Sequence, residues 1–275
     1  MLSTEWLSAF APVGGLRDDN LWAAFGACVF FHKPPLLWMV TARHVLKEVG
    51  PPALTVLVTR SSGEGVIVIK VGEILTTHGF SWIEDGVNDL AAAPMPASPD
   101  FGIKAVTPEN CLSLRQLLPS MPCFTLGCPY GLHGLNPQRA TPLVLDGVIA
   151  GVDPASRKVY TSAPTFPGNS GGPLVAVRSP FNPAGAVVGH PTVFFAGIML
   201  ETVLLPAADP ASRAPALHSG YAPLVGVKSG SAADPASRIP PLHLGVAAPA
   251  DAVLTLLDSD QARAITARAE ALRPG

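Results

Sequence analysis

Charge is scarce in this sequence: Asp, Glu, Lys and Arg make up 14% of it, against about 25% in an average globular chain. The formal net charge is −2. No basic excess is present to attract nucleic acid or an anionic membrane surface, and neither is expected as a partner. Cysteine is scarce too. Four residues (Cys28, Cys111, Cys123 and Cys128) are too few for a disulfide scaffold in 275 residues. Cys123 and Cys128 lack a second pair at zinc-ribbon spacing, so buried free thiols in a reducing compartment are expected. Long hydrophobic runs are missing: the most apolar stretch, 21–31, is about half the length a bilayer requires, and His32, Lys33, Pro34 and Pro35 stop it. Residues 1–15 show no basic start followed by an apolar core, so no secretory leader is read there and a cytoplasmic protein is expected.

What is abundant is turn chemistry. Thirty prolines and 26 glycines, with 48% hydrophobic residues, favour short extended segments between turns over long helices. Stretches rich in β-branched and aromatic residues predict strands at 21–31, 36–41, 54–59, 66–71, 89–93, 123–126, 143–150, 158–161, 173–177, 192–200 and 244–247. Between the two groups of strands lies a proline-rich connection, 94–122. Short strands without alternating helices indicate an all-β sandwich or barrel. From Asp251 the pattern turns helical, in one piece or two, with Val253, Leu254, Leu256 and Leu257 as its first apolar group. Ala262, Ile265, Ala269 and Leu272 fall on one face, and the spacing of Asp258 and Gln261 resembles a capping box. Residues 208–218 (ADPASRAPALH) and 233–243 (ADPASRIPPLH) repeat one another within a long loop, 206–241; two copies are too few for a solenoid.

Three segments carry chemistry together. Thr41-Ala42-Arg43-His44-Val45 sets a histidine on the turn after a strand, Asn88-Asp89-Leu90-Ala91 an aspartate at the start of one, and Gly168-Asn169-Ser170-Gly171-Gly172-Pro173 a serine among glycines before another. A serine hydroxyl becomes a useful nucleophile when a neutral histidine takes its proton. A carboxylate on the far ring nitrogen fixes the tautomer, and glycines let backbone amides turn toward a developing oxyanion. His44, Asp89 and Ser170 are therefore the candidate triad, with the amides of Gly168 and Ser170 as the oxyanion donors.

These motifs resemble those of the trypsin-like (chymotrypsin-fold) serine peptidases, in particular the bacterial branch that includes HtrA-type proteases. Leu126-Gly127-Cys128-Pro129-Tyr130-Gly131 resembles the family's Gly-x-Pro-x-Gly turn, and Gly245-Val246-Ala247-Ala248-Pro249 the approach to its C-terminal helix. The resemblance runs from about residue 24 to 257 and implies two six-stranded antiparallel β-barrels with the triad at their junction. It divides the chain into an N-terminal extension (1–20), a first barrel (21–100), a connection (101–121), a second barrel (122–249) and a C-terminal helix (250–275). Unlike in the HtrA-type proteins, no PDZ domain is expected after the protease. The resemblance further implies a substrate strand added beside 196–202, and it puts Pro164, Leu200, Glu201 and His243 near the primary specificity pocket. Pro164 stands where trypsin keeps the aspartate that selects Arg or Lys, so a trypsin-type preference is not expected. Asn169 replaces the aspartate that pairs with a freshly cut N-terminus in secreted trypsins, and activation without N-terminal cleavage is expected. Val45 follows His44, so the cystine that often braces this loop cannot form.

The implied activity is a serine endopeptidase acting on protein or peptide substrates, with a regulatory protein partner as a further expectation and no cofactor. Two other readings remain open. Gly168-Asn169-Ser170-Gly171-Gly172 also fits the G-x-S-x-G elbow of esterases, with Asp209 and His218 or Asp234 and His243 completing the order, although the residues after the serine read as strand instead of the required helix. A trypsin-like fold kept only for binding, and silenced by the 206–241 loop, is the other. The seven histidines show no H-E-x-x-H and no close Cys/His pairing, so no metal is expected.

Overall fold

Every stretch predicted as a strand is one in the computed structural model, which describes residues 4–16, 22–131, 140–179, 190–205 and 242–272. The N-terminal half contains α1 (Thr4–Ser8), β1 (Phe10–Leu16), β2 (Trp22–Lys33), β3 (Leu36–Ala42), α2 (Arg43–Val49), β4 (Thr55–Thr59), β5 (Val66–Lys70), α3 (Val71–His78), β6 (Ile83–Asp85) and β7 (Leu90–Met95). The C-terminal half contains β8 (Pro122–Gly127), β9 (Leu143–Asp153), β10 (Lys158–Thr161), β11 (Pro173–Arg178), β12 (Thr192–Leu205), β13 (Leu242–Pro249), α4 (Ala250–Leu257) and α5 (Asp260–Ala271).

The second half closes into a six-stranded barrel, β10-β13-β12-β11-β8-β9. The first forms a seven-stranded antiparallel sheet in the order β5-β4-β1-β2-β3-β7-β6, one strand more than the six expected. Part of the difference lies in residues 1–20, expected as an extension: they supply β1, which pairs with both β2 and β4. Its sequence, FAPVGGL, reads locally as strand-breaking, but Ala11 and Val13 are fully buried. Packing against neighbours outweighs that weak local preference. The predicted turn carrying His44 is the first turn of α2, and Val71 opens α3 where a strand end was expected. At the C-terminus the helical stretch forms two helices, in line with its two apolar groups. Ser259, not Asp258, caps α5, its Oγ accepting from the Ala262 amide at 3.2 Å. The repeat at 208–218 and 233–243, and the loop 206–241, lie outside the described residues.

One apolar core crosses from sheet to barrel: Val29, Phe31, Val40 and Leu90 pack in a single cluster with Phe195, Ile198, Leu200 and Ala248. Phe31 meets Phe195 edge-on, with ring centroids 4.9 Å apart. The Phe195 carbonyl also accepts the Leu112 amide at 2.9 Å, tying the connection to the barrel. The C-terminal helices are tethered on both sides. Asp251 of α4 accepts the Leu114 amide at 2.7 Å, and Lys33 of β2 donates to the Leu257 carbonyl at 2.6 Å.

Between β6 and β7, a tight turn is organised by one carboxylate. Asp85 accepts from the amides of Val87 and Asn88 at 2.9 and 3.1 Å, and from the Asn88 side chain at 2.5 Å. Partial burial alone would raise its pKa, but these hydrogen bonds from Asn88 and Val87, with the charge of Arg157, bring it below the ordinary carboxylate value.

Two measurements check this account. Phe195→Ala removes a fully buried ring from the junction and is expected to cost about 3–5 kcal/mol in urea unfolding. Because the folded pKa of Asp85 is depressed, its contribution is present above the unfolded carboxylate value of about 4. It is lost as pH falls through the lower folded value. The stability gap between wild type and Asp85→Ala is therefore expected to hold from pH 7 to 5 and to shrink below pH 4; a gap that widens in acid would contradict it.

Candidate functional site

His44 enters the site as the second residue of α2, a helix whose N-cap, Ala42, offers no side-chain acceptor. Asp89 supplies what is missing. It sits in the left-handed region (φ 56°), which Asp tolerates better than most residues. Its carbonyl accepts the Arg43 amide at 2.8 Å, and its Oδ1 accepts the His44 amide at 3.2 Å. Its Oδ2 lies 2.6 Å from His44 Nδ1. A carboxylate there accepts a hydrogen bond from Nδ1–H and so holds the proton on that nitrogen, which leaves Nε2 with the lone pair. The pair is open to solvent, with the His44 and Asp89 side chains 41% and 37% exposed. Arg43 reaches back to Glu84 and braces the same turn from outside.

Ser170 comes from the loop before β11. Its carbonyl accepts the Ala27 amide at 2.8 Å, which ties the loop of one barrel to the sheet of the other. Its hydroxyl donates to the Leu200 carbonyl at 2.8 Å and makes no hydrogen bond to His44. Glycine is obligatory on both sides. Gly168 (φ 98°) and Gly171 (φ 85°) lie in the left-handed region, and a Cβ would approach within 2.1 Å of the Cys128 carbonyl and 2.0 Å of the Ala27 carbonyl. The loop is pinned further by the Tyr130 amide on the Pro167 carbonyl at 2.7 Å. Among the described residues, the amides of Gly168 and Ser170 donate to no protein acceptor. Asn169 between them is fully buried, and neither atom of its amide has a partner.

The remaining candidates fall around this centre unevenly. Leu200 is buried on β12, at an irregularity in the pairing with β13, and its carbonyl holds the serine. Glu201 beside it is exposed, as is Pro164 in the loop leading to Ser170. His243 lies on β13 opposite Leu204; its side chain is outside the described residues, as are His133, His218, Asp209 and Asp234.

The sequence reading missed three contributors. Asp85 sets the turn that presents Asp89; its Asp85-Gly86 step is a turn signal that could have drawn attention. Lys158, on β10, is half-buried. Burial lowers its pKa, while the charges of Asp89, Glu201 and Asp85 act in the opposite direction, so a cation lies within electrostatic reach of the site. Thr202 donates to the Thr165 carbonyl at 3.0 Å, a contact no local pattern announces.

All four cysteines are free. Burial pushes the thiols of Cys111 and Cys128 up to about 12 and that of Cys123 to about 11, and raises Cys28 as well, so none is an activated nucleophile. No group of His, Cys, Asp or Glu suited to a metal ion occurs among the described residues. No helix among them is long and apolar enough to cross a membrane. A cavity of about 470 Å³ lined by Glu5, Trp6, His32, Lys104 and Asn110 holds none of the candidate residues.

Comparison with known proteins bears on the fold and the family. The chain is similar in structure to the MamO protease domain from Magnetospirillum magneticum, in its apo form, with a TM-score of 0.52 and 14% sequence identity, covering 92% of this chain and 98% of that one. That likeness shows the fold, a chymotrypsin-like double barrel. No curated protein matches the sequence. The family model of the trypsin-like peptidase domain matches residues 26–189, a span that holds His44, Asp89 and Ser170. The chain belongs to the trypsin-like peptidase domain family.

Proposed function

We propose that this protein is a serine endopeptidase, with His44, Asp89 and Ser170 as its catalytic residues. The observation that carries this reading is the Asp89 carboxylate held 2.6 Å from His44 Nδ1, with Ser170 on the opposing barrel flanked by two unengaged amides. In the proposed reaction, Nε2 of His44 takes the proton of Ser170 as Oγ bonds to the substrate carbonyl carbon. The oxygen, now negative, is held by the N–H groups of Gly168 and Ser170. His44 then gives its proton to the leaving amine as the C–N bond breaks. Water, deprotonated by the same ring, hydrolyses the ester on Ser170. Asp89 keeps Nδ1 protonated throughout and stabilises the imidazolium.

Four unpaired cysteines, with burial holding their thiols protonated, suit a reducing compartment, and we place the enzyme in the cytoplasm on that ground. A second reading has one observation in its favour. The Ser170 hydroxyl is engaged by the Leu200 carbonyl instead of His44, which fits a trypsin-like module kept for binding and activated, if at all, by a protein partner. Catalytic hydrogen bonds commonly tighten only with substrate in place, so the Leu200 contact leaves the peptidase reading standing.

Fluorophosphonate labelling decides between them. Labelling of wild type that is lost in both Ser170→Ala and His44→Ala is expected for the peptidase, with a fall on the order of 10⁴ in turnover for Asp89→Asn. Well-folded wild type that resists the probe would favour the binding module, and near-normal rates in Asp89→Asn would remove the triad assignment.

A further inference from the structure

Resting on the serine reading above, we infer that the substrate residue immediately before the scissile bond is restricted to a small uncharged side chain: glycine, alanine or serine. The argument begins with where that side chain must go. A carbonyl carbon bonded to Ser170 Oγ, with its oxygen toward the Gly168 and Ser170 amides, directs the adjoining side chain away from His44. It enters the slot between the loop 164–168 and the β12 segment 200–202. The two walls flank the serine directly: one leads into Ser170, and the other accepts its hydroxyl through the Leu200 carbonyl at 2.8 Å.

That slot is strapped and filled. Thr202 Oγ1 donates to the Thr165 carbonyl at 3.0 Å, joining one wall to the other. Directly across from Thr202 in the strand register is Gly245 of β13. A Cβ placed on Gly245 would lie 2.4 Å from Thr165 Oγ1, 2.8 Å from Thr161 Cγ2 and 2.9 Å from Met199 Cε. Three side chains therefore already converge on the space over Gly245. Met199 is fully buried and Thr161 is too, so neither yields freely. A long or aromatic side chain would have to part the Thr202–Thr165 hydrogen bond, orphan the Thr165 carbonyl and displace Met199. The lining carries no charge: Thr161, Thr165, Met199, Thr202 and Gly245 offer hydroxyls, a thioether and backbone, while Glu201 points to solvent. None of these five residues carries a charge to compensate a lysine, arginine, aspartate or glutamate, and Lys158, the nearby cation, is already engaged by the charges of Asp89, Glu201 and Asp85.

The test uses peptides identical except for Ala or Phe before the cleaved bond, with kcat/KM measured by product chromatography. Wild type is expected to favour Ala roughly 100-fold, within the range that steric exclusion from a pocket supplies. Thr202→Gly, which removes both strap and bulk, is expected to reduce that ratio below about tenfold, chiefly by raising the Phe rate. Thr202→Val, which keeps the bulk, should retain most of the preference. Equal rates for Ala and Phe in wild type, or a ratio unchanged in Thr202→Gly, would overturn the inference. If wild type cuts neither peptide, the peptidase reading fails by itself. The same peptides titrated against the intact protein then decide the inference separately: tighter binding of the Ala peptide that Thr202→Gly abolishes supports it, and equal or undetectable binding overturns it.

Discussion

Asp89 is the residue on which the site's geometry turns. A short helix with an uncapped N-terminus would leave its first amides unsatisfied and its orientation loose. Asp89 answers both amides at once, with its carbonyl on Arg43 and Oδ1 on His44, and uses its remaining oxygen to hold the imidazole. The same residue therefore fixes the helix, the rotamer of the histidine and the tautomer. Its own left-handed backbone is sustained from the other side by the Asp85 turn, which closes on Asn88 just before it. Chemistry and local folding are not separable here.

The second half of the site depends on close approach between two separately built sheets. Ser170 is carried by the barrel, but its carbonyl is anchored to Ala27 of the first sheet, and Gly171 is admitted only because it lacks a Cβ against the Ala27 carbonyl. The apolar junction around Phe31 and Phe195 holds the two bodies at the distance these contacts require. A rigid junction would suit the proposed acyl transfer, a reaction helped mainly by positioning and preorganised dipoles. Leu200 joins the core to the chemistry: its side chain is buried in that junction, while its carbonyl holds the serine hydroxyl.

Family membership and catalytic state are different questions in this fold. The peptidase family follows from the match over residues 26–189, and the barrel arrangement from the structural likeness. The resting hydrogen bond of Ser170, by contrast, goes to a single carbonyl acceptor, that of Leu200. On the proposed reading, a substrate strand beside β12 would shift that hydrogen bond by binding one arrangement better than the other. The narrow lining beside it, from Thr165 and Thr202 to Met199 and Gly245, belongs to the same β12–β13 pairing. On the proposed reading, substrate choice and serine orientation both depend on this one edge of the barrel.

The sequence by itself determined whatever is local. Strand positions followed from runs of β-branched and aromatic residues, because a half-buried pleated surface selects them within a few residues. The His44, Asp89 and Ser170 motifs were legible because their glycine and turn chemistry lies next to the functional side chain. What spans long separations was not. β1 reads as a breaker-rich segment until β2 and β4 flank it, and α2 lacks a cap until Asp89, forty-five residues away from His44, provides one. The Ser259 cap was missed by one position because Asp and Ser compete on equal terms for that role. The Thr202–Thr165 strap, the Ser170–Leu200 hydrogen bond and the convergence on Gly245 arise from strands paired across the barrel. Only tertiary structure decides such contacts, since hydrogen bonds and van der Waals exclusion act over a few ångströms of space, whatever the distance along the chain.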